Sequence, residues 1–117
     1  MQRFLFGLAL ASLGGGTALA TGSGDMSIVV LTLKDHRFAP DTITVPAGQK
    51  VKIDITNRDA TADDFDSEDL HVDRDLKPHE HVTFVIGPLK PGHYAFKGEL
   101  LAATAHGEVI AVAPAAK

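Results

Sequence analysis

Apolar and polar residues alternate along much of the chain with a period of two. Val51, Ile53 and Ile55 are interleaved with Lys52, Asp54 and Thr56. Successive side chains of an extended strand point to opposite faces, so residues 49–57 read as a strand with one apolar face. Residues 80–86 repeat the pattern, with Val82, Phe84 and Ile86 on one face and His81, Thr83 and Val85 on the other. Residues 26–33 are β-rich, and Ile28 and Val30 alternate with Val29, Leu31 and Leu33. Apolar character on both faces predicts a strand at the centre of the fold. Shorter strands are predicted over 42–45 and 70–72. After the Pro91-Gly92 turn, Tyr94 and Phe96 share a face, and a final strand is predicted over 108–112.

The remaining stretches punctuate these strands. Residues 34–37, 38–41, 46–48 and 76–78 carry turn chemistry. Residues 58–69 hold acids at 59, 63, 64, 66, 68 and 69 around one large apolar residue, Phe65. No period of 2 or 3.6 fits them, so they read as a loop. The loop 98–107 holds one carboxylate, Glu99, and one imidazole, His106, in an apolar setting. Roughly seven or eight short strands separated by turns predict an all-β fold, an antiparallel Greek-key β-sandwich.

The chain has 117 residues, enough for one small domain. Its first twenty combine Arg3, a short apolar run and the small-x-small triplet Ala18-Leu19-Ala20. That is the pattern of a secretory signal peptide cut after Ala20, and the run is too short for a membrane span. The expected organisation is a signal peptide over 1–20, a linker over 21–25, the domain over 26–114 and a tail over 115–117. The expected compartment is the periplasm, with no direct membrane insertion after cleavage.

With no cysteine, disulfides and thiolate metal sites are excluded. Loss of Arg3 with the leader leaves ten basic against fifteen acidic residues, a net charge of −5 with neutral His. An acidic domain is a poor nucleic-acid binder and suits cations instead.

Six histidines are many for so short a chain. His71, His79, His81 and His93 fall where strand alternation or turn chemistry puts them in solvent. His36, Glu99 and His106 stand at loops flanked by apolar strands, and such loops cluster at the ends of a sandwich. With Asp64, Asp66 and Glu68 of the acidic run they form a candidate carboxylate and imidazole set for iron, manganese or copper(II). A solvated acidic loop with a structural His106 is the competing reading. The pattern holds no nucleophile–base pair, phosphate loop or HExxH motif. A ferroxidase role is the one enzymatic option left open.

The stretches KDHRFAPDTITVPAGQKVKIDITNRD, DFDSEDL and IGPLKPGHYAFKGELLAATAHG resemble the cupredoxin-like domain of periplasmic iron-uptake proteins. That group includes the amino-terminal domain of EfeO-type proteins and the cupredoxin subunit of Ftr-type permease systems. The resemblance implies metal binding, iron or copper as the ion, and a membrane iron permease or other uptake subunit as partner. It also marks departures. Gly98 stands where blue-copper cupredoxins place their Cys, and Leu100-Leu101 where the iron-uptake group carries Phe-His. No type-1 copper centre is expected, because its chemistry needs the thiolate. Two functions follow: a metal-binding accessory protein of iron or copper uptake, or a metal-free sandwich that docks on a permease or partner subunit.

Overall fold

The computed structural model describes residues 17–19, 21, 22 and 26–114. The expected leader apart from 17–19, its cleavage site at Ala20 and the tail 115–117 lie outside the described residues.

Eleven strands make up the described chain: β1 (Thr17–Leu19), β2 (Thr21–Gly22), β3 (Ser27–Lys34), β4 (Arg37–Ala39), β5 (Thr42–Pro46), β6 (Val51–Asn57), β7 (Asp63–Ser67), β8 (Val72–Leu76), β9 (His81–Ile86), β10 (Gly92–Lys97) and β11 (His106–Val112). They form two sheets. One runs β1-β5-β11-β10-β7-β8; the other runs β2-β3-β6-β9, with β4 also paired to β3. Most ladders are antiparallel, but β1–β5, β3–β6 and β5–β11 are parallel. Thr21 and Gly22, read as linker, pair with Ile28 and Ser27.

The inner faces follow the alternation. Val51, Ile53 and Ile55 of β6 are fully buried against Val29, Leu31 and Leu33 of β3, and face Ile43, Val45 and Val109 of the other sheet. Phe38, Phe65 and Phe96 form the aromatic centre, with Phe65 and Phe96 stacked at 4.7 Å between centroids. Burial of this set is the main favourable term in a domain with no disulfide.

Three local readings are corrected. The outer face of β3 is open, with Ile28 41% and Val30 60% exposed; apolar residues on both faces do not here mean a doubly covered strand. The acidic run is not a loop throughout, because residues 63–67 form β7 and carry Phe65 into the core. Tertiary pairing to β8 and β10 supplies what local periodicity lacks. The strand expected over 70–72 begins two residues later and runs further: residues 68–71 turn, and β8 begins at Val72.

Candidate metal-binding end of the sandwich

The start of β7 and the loop between β10 and β11 meet at one end of the molecule. Asp64 Oδ1 accepts the Glu99 amide at 2.8 Å, and Asp63 Oδ1 accepts the Leu100 amide at 3.1 Å. Asp63 Oδ1 also accepts the Asp64 amide at 2.8 Å, while its Oδ2 is enclosed with no partner. The loop closes on itself, since Gly98 N donates to the Ala105 carbonyl at 2.8 Å and Ala105 N to that of Leu101 at 2.8 Å. Thr104 Oγ1 donates to the His36 carbonyl at 2.7 Å. Glycine at 98 leaves room for the Asp63 carboxylate: a Cβ there would stand 2.8 Å from Asp63 Oδ1 and displace it.

This clasp gathers carboxylates. The Glu99 side chain shares a hydrogen bond with Asp66, and the charges of Asp64 and Asp66 press on it, so its carboxyl is raised above the ordinary glutamate value. Burial raises Asp64, which is only 8% exposed. The Glu99 amide opposes that shift and the Asp63 charge adds to it. Like charges held together in this way favour a bound proton or a bound cation. Lys97 Nζ stands 3.9 Å from Asp66 Oδ2 and offsets part of the charge.

The six candidate residues are thus divided. Asp64, Asp66 and Glu99 come together. Asp66 also lines a half-open cleft of about 390 Å³ with Glu68, Asp69, Lys97 and His106. His106 opens β11, exposed and paired in register with Lys97, rather than sitting in the loop interior. His36 belongs to the tight turn between β3 and β4. There Asp35 and His36 both have positive φ, 52° and 59°, and the Asp59 carboxylate accepts their amides at 2.6 and 3.0 Å. His36 Nδ1 is enclosed, with Asp59 Oδ2 at 3.9 Å as its acidic neighbour. Glu99 therefore faces other carboxylates. Among the described residues no three His, Asp or Glu side chains stand in a ready-made ligand arrangement.

Asp63, which holds the loop and fills the space beside Gly98, was not among the candidates. In an acid-rich run nothing local separates one carboxylate from the next.

A type-1 copper centre does not fit these residues, because the chain offers no thiolate. The donors that converge are carboxylate oxygens, which suit hard cations.

Comparison with known proteins agrees with the architecture. An uncharacterized protein of Rickettsia prowazekii (strain Madrid E) is 40% identical over 82 residues, a match covering 70% of this chain and 66% of that relative's length. The metal-binding domain of a Cu(I)-exporting P-type ATPase of Streptococcus pneumoniae, solved with Cu(I), superposes with a TM-score of 0.71 at 12% identity, over 82% of this chain and 95% of that one. Auracyanin A, a blue copper protein of Chloroflexus aurantiacus, superposes with a TM-score of 0.66 at 14% identity, over 75% of this chain and all of that one. At such identities the likeness concerns the fold. Residues 4–111 match the family described as the cupredoxin-like domain, and the chain belongs to that family.

Proposed function

We propose that this is an exported, periplasmic cupredoxin-like protein that binds a hard metal ion, iron or copper(II), in support of uptake through a membrane permease or partner subunit. The observation that carries the reading is the carboxylate cluster in which Asp64 accepts the Glu99 amide and the Asp64 and Asp66 charges press on Glu99. A cation would relieve that repulsion once the side chains turn toward it, since they do not form a ready-made ligand set. The fold neighbours solved with Cu(I) or described as blue copper proteins support a metal role. The absence of cysteine directs it away from thiolate-bound copper. Asp64 and Glu99 are the proposed first ligands, with Asp66 completing the set and His106 and Glu68 along the adjoining cleft. His36 lies at the turn that braces the loop through Thr104.

A metal-free docking role is the second reading. Its support is the exposed tip of the same loop, where Leu100 and Leu101 are 51% and 47% exposed.

Calorimetric titration of the purified protein with Fe(II), Fe(III), Mn(II), Cu(II) and Zn(II) separates the two. Saturable binding of at least one ion is expected. Glu99→Gln should weaken it at least tenfold, about 1.4 kcal/mol. The melting temperature should hardly fall, because the Glu99 side chain faces acids and not a stabilising cation. Equal affinity in the variant, or no heat with any ion, overturns the metal reading and leaves the docking role.

A further inference from the structure

We propose that the outer edge of β9 pairs with β9 of a second copy of this chain, making a two-fold dimer through a continuous sheet. The phase of the β6–β9 ladder fixes which groups are free. Asn57 N donates to the Glu80 carbonyl at 2.8 Å, and the register continues as Ile55 with Val82 and Ile53 with Phe84. Hydrogen-bonded pairs alternate along an antiparallel ladder, so residues 80, 82, 84 and 86 bond to β6. The backbone N–H and C=O groups of His81, Thr83 and Val85 therefore point away from it. Among the described residues no strand pairs with that side.

An open edge is a template for another strand, and proteins usually blunt it with charge, proline or a bulge. β8, at the edge of the other sheet, is blunted by exposed Asp73, Arg74 and Asp75. β9 carries none of these devices. Thr83 and Val85 are exposed and neutral, and the His81 ring is engaged with Asp54 of its own sheet at 2.6 Å. Beside Val85, which is 48% exposed, the same outer face presents Ile28 in the same row, across Lys52, and Val30 beyond.

The strand is complementary to itself in one register. An antiparallel pairing about a dyad at Thr83 sets Thr83 opposite Thr83 and His81 opposite Val85. All outward backbone groups of the three residues are then used, about six hydrogen bonds in all. On the inner face the pairing sets Val82 opposite Phe84. No two like charges meet along the paired strand itself, although each chain carries a net charge of −4 and Arg74 of β8 lies over the Phe84 ring at 5.7 Å. This is the isologous contact of a two-fold dimer.

Sedimentation equilibrium tests it, run on the purified protein from about 5 to 500 μM without added metal, a range in which micromolar association is visible. A monomer–dimer equilibrium is expected. Thr83→Lys and Thr83→Glu each place like charges across the dyad and should weaken association at least tenfold. An equimolar mixture of the two should restore it, because Lys then faces Glu. Thr83 is exposed, so thermal melts should show both variants folded. A monomer throughout, a dimer that neither variant disturbs, or a mixture that fails to reassociate overturns the proposal.

Discussion

Phe65 has no exposed surface and touches three other rings: Phe96 stacked at 4.7 Å, Phe84 tilted at 5.2 Å and Phe38 edge-on at 6.0 Å. Truncating such a side chain to alanine costs about 3–5 kcal/mol through lost burial and a residual cavity. A small domain holds only about 5–15 kcal/mol in total. Phe65→Ala should therefore lower the midpoint of urea denaturation severely, and Phe65→Leu clearly less. The sequence shows Phe65 as the one large apolar residue of an acidic run, which is a visible cue. What it hides is the role of the acids around it. Asp64 is buried because an amide 35 positions later, that of Glu99, meets its carboxylate. No local pattern encodes a bond of that range. Asn57 is similar: it closes a clean alternating strand, yet its buried side chain donates to the carbonyls of Thr61, Leu76 and Lys77 and accepts from the Asp59 amide.

Strands that bury one face were legible as elements, whereas those made of charges were not. β6, β9 and β10 follow their period of two, since their apolar partners are written in the chain. β7 and β8 read DDFDS and VDRDL, and their pairing rests on register with each other. The turn between β3 and β4 was placed correctly as polar, but not its clamp. Burial alone would raise Asp59. The amides of His36 and Asp35, helped by the charges of His36 and Lys34, outweigh burial and hold its carboxyl below the ordinary aspartate value. A depressed carboxyl contributes stability above its unfolded pKa of about 3.9 and loses it as pH falls through the folded value. Asp59→Asn should lower the melting temperature at pH 7. It should also flatten the acid-side loss of stability below about pH 4, so that variant and parent converge in melts taken toward pH 2.

Each sheet is held together by partners far apart in sequence. β5 at residues 42–46 lies parallel to β11 at residues 106–112, and β3 pairs in parallel with β6 while β6 pairs with β9. Loop-closure entropy must be met before such contacts form, and sandwiches of this kind fold in milliseconds to seconds, slower than helical domains of similar size. Stopped-flow refolding should show that slow range, and a chain ending at Ala105 should not fold, because it lacks the strand between β5 and β10. The fold class was readable from strand number and turn spacing. The order of strands within each sheet was not, since the parallel neighbours arise from crossovers that leave no local mark.

The Asp63 carboxylate beside Gly98 has a consequence for the sequences this protein can reach. By the resemblance drawn from the sequence, position 98 is where a blue-copper site would carry its thiolate. A Cβ there would stand 2.8 Å from the Asp63 carboxylate, so that the Asp63 side chain would have to shift. Removing Asp63 first releases the Leu100 amide and loosens the loop. A side chain at 98 and the hold of Asp63 on the loop are therefore coupled, and the path toward a thiolate centre requires both to change together. On the proposed metal-binding reading, substitutions among the surrounding acids that change which ion is preferred leave Gly98 untouched, so this lineage reaches new oxygen-ligand chemistries without the coupled rearrangement that a thiolate at 98 demands.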